Sequence, residues 1–209
     1  MSTKLKVYDL APSPNNMKVR IALNYKEIPF EKVAVSGDDR AEVIKVSGQP
    51  LTPVLVDGDK VLFDSSAILR YLDANFRSTR PLFSSDYNTM HEIEDWEMLG
   101  RAALVMSVGM IFGQFFSPEK DPAVSAKASS MLHENSARLE ERLSKANWLV
   151  GDGMTAADVS CAPMAYYGML TPEIASISPL HKFFYDSLKL GEGRDKTRAW
   201  VGRVMAYDR

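Results

Sequence analysis

"TPVLVDGDKVLFDSSAILRYLDANF" fills positions 52–76, and a change of period inside it decides the fold. From Val54 to Phe63 it reads as two short strands around an Asp57-Gly58 turn, since glycine tolerates the positive φ that a tight reversal needs. From Ser65 onward Ile68, Tyr71, Leu72 and Phe76 fall at helical spacing on one face. A hairpin running straight into a helix therefore closes this part of the chain.

Upstream, "KLKVYDL" (4–10) is a short strand, and "NNMKVRIALNYKE" (15–27) is a helix with Val19, Ala22 and Leu23 on its apolar side. "FEKVAV" (30–35) is a second strand and "DDRAEVIKV" (38–46) a short polar helix. The order β-α-β-α-β-β-α puts a parallel βαβ unit before the hairpin, which suits a small four-stranded mixed sheet of thioredoxin-like type. Downstream, "RSTRPLFSSD" (77–86) is a polar, proline-bearing linker, so a domain boundary is expected near Pro81, dividing the chain into 1–80 and 81–209.

The second part reads as helix after helix. One runs from Tyr87 to Phe116 and another from Ala123 to Ser144, with Leu132, Leu139 and Leu143 as core residues and Pro118 and Pro122 between the two. "WLVGDGMTAADVSCAPMAYYG" (148–168) places Thr155 at an N-cap, Asp158 three residues into the helix, and Met154 and Val159 as a hydrophobic staple. Further helices are expected from Pro179 to Lys189 and from Lys196 to Tyr207. The fold class is α+β followed by α: a βαβαββα domain and then an all-helical bundle.

Bulk properties exclude several functions. With 25 basic and 27 acidic side chains among 209 residues, the net charge of -2 sets up no field for nucleic acid or an anionic membrane. A lone cysteine, Cys161, excludes an internal disulfide framework, and the three histidines have no ligand spacing, so no metal is expected. No apolar signal core stands near the amino terminus, which points to the cytoplasm. "LVMSVGMIFGQFF" (104–116) is shorter than the roughly 20 residues of a membrane span and is read as a buried helix or a subunit contact.

Four stretches, "SPNNMKVRIAL" (13–23), "VSGQPLTPVLVDGD" (46–59), "LFDSSAILRYL" (62–72) and "WLVGDGMTAADV" (148–159), together resemble the glutathione transferases in order and spacing, as a bacterial-type cytosolic, serine-type member. The resemblance implies a thioredoxin-like domain followed by a helical bundle, glutathione as co-substrate, a small apolar electrophile as its acceptor, no metal and a homodimer.

In that family the position of Ser13 contacts glutathione sulfur. Ser13 precedes the positive end of the first helix, where the macrodipole and unpaired N–H groups favour an anion. In isolation "SPNN" is an ordinary turn and cap; beside the other stretches the sulfur contact is expected. Asn16 is the alternative, as a second donor or as a cap.

Pro53 stands where such domains carry a cis-proline, so the Thr52 N–H and C=O are expected to pair with the cysteinyl part of glutathione as an added strand. The bland alternative is a trans-proline opening a strand. Asp64 and Ser65 open the next helix, and the resemblance gives them the ammonium and carboxylate of the γ-glutamyl group, where Asp-Ser-Ser alone reads as an N-cap.

Where the familiar loop has Lys or Gln to hold the glycine end, this chain has Leu51, with Gln49 or Lys45 as possible replacements. The electrophile is expected against Ala11 and Pro12 on one side and Met106, Met110 and Phe115 on the other, although a Met and aromatic stripe at this spacing also describes a core or dimer face.

Two rivals remain at this point: a non-catalytic binding or regulatory protein on the same fold, and a glutathione-dependent isomerase, whose "SSCS" stretch is absent. Disulfide exchange ranks below both, because serine cannot form the mixed disulfide.

Overall fold

The computed structural model describes residues 5–209. Residues 1–4, which include the first residue of the expected opening strand, lie outside the described residues. The chain divides into two compact units, one reaching to Phe83 and including Tyr207–Arg209, the other Ser84–Ala206.

The first unit contains β1 (Leu5–Asp9), α1 (Pro14–Tyr25), β2 (Phe30–Ala34), α2 (Ala41–Ser47), β3 (Val54–Asp57), β4 (Lys60–Phe63) and α3 (Ser65–Asn75). Its sheet has the order β2-β1-β3-β4, with β1 parallel to β2 and both remaining pairs antiparallel. The expected mixed sheet is present. The hairpin reverses one residue later than expected, through Gly58 and Asp59, with Gly58 taking φ 58° as the first turn residue.

Helix α1 is buried from Asn16 through Leu23, so even Lys18 and Arg20 lie inside. Polar groups in such a place need partners. At the end of α1 the fully buried Lys26 meets Asp73 of α3 (Nζ to Oδ1 2.5 Å) and also donates to the Arg80 carbonyl at 2.8 Å. The Asp73 carboxylate in turn accepts the Leu82 and Phe83 N–H groups, each at 3.0 Å. This arrangement carries the unit past the expected Pro81 boundary, because the linker amides are satisfied by a side chain of α3.

The second unit contains α4 (Tyr87–Met98), a π-helical segment (Leu99–Leu104), α5 (Val105–Phe116), α6 (Pro122–Leu143), α7 (Ala156–Tyr166), α8 (Pro172–Ala175), α9 (Pro179–Ser187) and α10 (Asp195–Met205). The π-helical segment and the short α8 are absent from the sequence reading. Gly100 explains part of the former: a Cβ there would lie 2.6 Å from the Ser160 carbonyl oxygen of α7, so only glycine permits the contact.

The run Tyr87–Phe116 is one helix of 30 residues with a window of mean hydropathy 1.5, enough by length and composition to cross a bilayer. The expectation of a shorter apolar stretch considered only 104–116. Within the unit this run buries Ile93, Trp96, Leu104, Val108 and Ile111, while Met98, Met106, Phe112 and Phe116 are exposed.

Two carboxylates join the helices of this unit. Asp158 is fully buried and accepts from the Leu149 N–H (3.0 Å), the Thr155 N–H (2.9 Å) and hydroxyl (3.1 Å), and the Trp200 indole (2.8 Å). The expected capping box is present, and it reaches further than expected, to α10. Burial pushes the Asp158 carboxyl up from its ordinary value, against the pull of those donors.

Glu140 of α6 accepts from the Lys196 N–H (3.0 Å), the Thr197 N–H (2.8 Å) and the Thr197 hydroxyl (2.7 Å). It caps α10, whose own N-cap residue Arg194 supplies no side-chain bond. Burial raises the Glu140 carboxyl, but the bonds from Thr197 and Lys196 and the charge of Arg194 outweigh it and hold the group below its usual range.

Asp73→Ala leaves the Lys26 ammonium buried without its anion and frees two linker amides, so a loss of about 3–5 kcal/mol is expected in urea unfolding. A loss no larger than that of an exposed pair would refute the ordering role. For Glu140 the folded pKa is depressed, so its stabilisation is present above the unfolded pKa and is lost as pH falls through the folded one. The stability gap between wild type and Glu140→Gln should therefore be about 0.5–2 kcal/mol at pH 7 and should close in acid, as read from thermal melts over pH.

Candidate functional site

Sheet register assembles the candidate residues. Tyr8 pairs with Val54, and Val54 pairs with Phe63, so these three stand abreast across β1, β3 and β4. What leaves β1 after Tyr8, what enters β3 before Val54 and what leaves β4 after Phe63 must then lie at one end of the sheet. Those are the turn to Ser13, the Thr52-Pro53 pair, and Asp64 with the start of α3.

Ser13 is the N-cap of α1 (φ -83°, ψ 122°) and is followed by Pro14 at the first helical position. Its N–H donates to the Leu10 carbonyl at 2.9 Å, and its own carbonyl accepts from Asn16 and Met17, each at 3.0 Å. The side chain makes no capping bond. A capping serine would ordinarily turn its oxygen onto a first-turn amide. Here the half-buried hydroxyl stands at the positive end of the helix without a committed partner among the described residues.

Asn16, expected as the alternative sulfur contact, is placed otherwise. It is fully buried, its Oδ1 accepts from the Leu10 N–H at 3.1 Å, and its Nδ2 donates to the Thr52 hydroxyl at 3.0 Å. Both ends of the amide are committed to tying the β1–α1 turn to the loop before β3. It organises the site rather than lining it.

The Thr52-Pro53 peptide is cis, Pro53 is buried and Thr52 half-buried. The ladder of β3 begins at Val54, and the Thr52 N–H and C=O take part in no backbone hydrogen bond among the described residues.

Gln49 departs from the expectation that it could hold a ligand. Its Oε1 accepts the Leu51 N–H at 2.7 Å, while Nε2 donates to the Leu51 carbonyl and the Ser47 hydroxyl, each at 2.9 Å. The amide thus pairs with its own loop. Lys45 is solvent-exposed beside Glu42 at 3.9 Å, and Leu51 itself is 73% exposed.

Asp64 has φ 69° and ψ 118°, a backbone region that costs a residue with a Cβ of order 1–3 kcal/mol. Its Oδ1 accepts from the Ala67 N–H at 3.0 Å, capping α3, while the residue remains exposed. Ser65 and Ser66, the first residues of α3, are each 7% exposed. No side-chain hydrogen bond engages Ser65 among the described residues.

Ala11 is exposed and Pro12 half-buried in the turn before Ser13. Met106, Met110 and Phe115 lie on α5 of the other unit, with Met106 exposed and the other two half-buried. The Phe115 ring meets Phe116 edge-on at 5.0 Å and Phe183 at 5.7 Å, so it packs within the helical unit. Among the described residues no three His, Cys, Asp or Glu side chains gather as a metal site requires.

Sequence reasoning overlooked Arg20, a 5% exposed guanidinium beside Asp9 and Asp208. An arginine set directly between Val19 and Ile21 was the available signal. Its partner at position 208 lies too far along the chain for spacing to reveal.

The family signature described as the glutathione S-transferase N-terminal domain matches residues 7–80, and that of the C-terminal domain matches 98–208. Glutathione S-transferase F10 of Arabidopsis thaliana is 29% identical over 157 residues, 70% of this chain and 73% of that protein. Among solved structures, poplar glutathione transferase F1 aligns with a TM-score of 0.75 at 20% identity, covering 97% of this chain and 92% of that one. Ure2p in complex with glutathione aligns with a TM-score of 0.77 at 18% identity, covering 98% and 91%. With both domain signatures matched in order over most of its length, the chain belongs to the glutathione S-transferase family.

Proposed function

We propose that this protein is a glutathione transferase in which Ser13 stabilises the glutathione thiolate for attack on a small apolar electrophile. The single observation that carries the assignment of Ser13 is its uncommitted hydroxyl at the N-terminus of α1. A cysteine-type thiol titrates near pH ~8.5, and lowering that by two units requires about 2.7 kcal/mol in favour of the anion. One hydroxyl donor to a charged acceptor supplies roughly 1.5–3 kcal/mol, and the helix terminus adds about 0.3–1 kcal/mol. Together they supply about 1.8–4 kcal/mol, a range that contains the requirement. Ser13 acts as a hydrogen-bond donor, and the glutathione sulfur is the nucleophile.

The remaining roles follow the same end of the sheet. The Thr52 N–H and C=O pair with the cysteinyl segment beside Pro53, the Ser65 hydroxyl and N–H take the γ-glutamyl carboxylate, and the outer oxygen of Asp64 takes its ammonium. Asn16 and Gln49 hold the two loops in shape. Within the first unit, Ala11 and Pro12 beside Ser13 are the apolar surface that receives the electrophile; in the second unit the thioether and ring surfaces of Met106, Met110 and Phe115 are of the kind that accepts varied apolar shapes. The protein works in the cytoplasm as a homodimer, and the exposed apolar residues Met98, Phe112 and Phe116 are the kind of surface an oligomer covers.

Ser13→Ala should leave glutathione affinity within about three-fold, by calorimetry, while turnover falls about 10- to 100-fold and the apparent thiol pKa rises by one or more pH units. Unchanged turnover would remove Ser13 from the reaction. The exposed side chain of Leu51 offers nothing to a carboxylate. Leu51→Lys should tighten glutathione binding by about two- to five-fold at low salt, an effect that fades as salt rises.

A further inference from the structure

Arg20 lies about two helical turns after Ser13 on α1, and its buried guanidinium is taken up by protein groups. It is connected to that end by its hydrogen bonds. Nη1 donates to Asp9 Oδ1 at 2.5 Å, Nε and Nη2 donate to the two oxygens of Asp208 at 2.6 and 3.0 Å, and Nη2 also donates to the Ala11 carbonyl at 3.1 Å. A planar fork gripped this way has one orientation, whereas an ammonium has no comparable geometry.

Each partner belongs to a different part of the first unit. Asp9 ends β1, and Ala11 sits in the turn closed by the Ser13 N–H on the Leu10 carbonyl at 2.9 Å. Asp208 belongs to Tyr207–Arg209, which lies in the first unit although α10 before it does not. Further contacts fasten that segment to α1: Asn24 Nδ2 donates to the Tyr207 carbonyl at 2.9 Å and to the Arg209 carbonyl at 3.3 Å, and the Tyr25 and Tyr207 rings meet edge-on at 5.4 Å. Burial works against the guanidinium charge, but Asp208 and Asp9 outweigh it and hold Arg20 above its ordinary value.

We propose that Arg20, oriented by Asp208, is a positioning residue for Ser13: by holding the Ala11 carbonyl it fixes the turn that aims the Ser13 hydroxyl at the glutathione sulfur. The inference rests on the reading of Ser13 given above. It gives the segment Tyr207–Arg209 a part in catalysis without contact with substrate.

The sign of one effect separates positioning from simple electrostatics. Removing the Asp208 carboxylate removes a negative charge from the unit, which by field alone makes a nearby thiol easier to ionise. Loss of aim makes it harder. Arg20→Lys, Asp208→Asn and Ser13→Ala are compared in the full chain by thiolate absorbance of bound glutathione against pH, turnover with an aromatic halide, and glutathione affinity.

Arg20→Lys and Asp208→Asn should each lower kcat about 5- to 50-fold and raise the apparent thiol pKa by about half to one pH unit, with glutathione affinity within about two-fold. In the Ser13→Ala background Arg20→Lys should shift the thiol pKa no further. A lowered melting temperature with an unmoved pH profile, or a thiol pKa that falls in Asp208→Asn, overturns the positioning role. If Ser13→Ala shifts the profile and the other two do not, positioning alone fails. If Ser13→Ala leaves it unmoved, the reading of Ser13 fails and the positioning role falls with it. Should Arg20→Lys not fold, Asp208→Asn, which keeps the side-chain shape, decides the matter.

Discussion

Everything at the candidate site depends on Tyr8, Val54 and Phe63 standing side by side in the sheet. Because β3 runs against both neighbours, one end of the sheet collects the exit of β1, the entrance of β3 and the exit of β4. A slip of one residue would exchange the faces of every strand residue and separate these loops. Asn16 guards the arrangement by holding the Leu10 N–H with one end of its amide and, 36 positions further along the sequence, the Thr52 hydroxyl with the other. Buried and satisfied at both ends, its amide is worth more as a specifier of loop position than as a source of stability.

The helical unit solves a related problem with carboxylates. Helix starts leave unpaired N–H groups, and in this unit the starts of α4, α6, α7 and α10 are all completed by acids, of which Asp86 and Asp121 are exposed local caps while Asp158 and Glu140 reach further. Asp158 serves the beginning of its own helix, the Leu149 amide and the Trp200 indole together, and Glu140 serves α10 from α6. Each joint couples elements far apart in the chain. Loss of either acid is therefore felt in packing as well as at a helix end.

The fold was legible because its signals are local. The period change at Ser65, the capping pattern at Thr155 and the prolines at 118 and 122 each involve a few consecutive residues, and the element order follows from them. The hairpin turn came out one residue early because Asp57-Gly58 and Gly58-Asp59 are both good turn pairs, and only cross-strand register chooses between them. The π-helical segment was not legible because the close approach of Gly100 to the Ser160 carbonyl within it is a tertiary contact. At the site, family likeness singled out Ser13, Thr52, Pro53, Asp64 and Ser65, and sheet register brings the segments that carry them to one end. What the side chains of Asn16 and Gln49 do was not legible, since an amide in a loop can bind a ligand or its own backbone, and sequence does not distinguish the two.

Gln49 carries one more consequence. Its amide lies along Leu51 as a neighbouring strand would, accepting from the N–H and donating to the C=O. The approach to Pro53 is in this way shaped by a resident side chain before any peptide arrives. Association at this edge then forfeits little chain entropy, since the loop does not have to be ordered first. In the function proposed above, selectivity at this edge rests on the backbone groups of Thr52 rather than on a segment that wraps its guest.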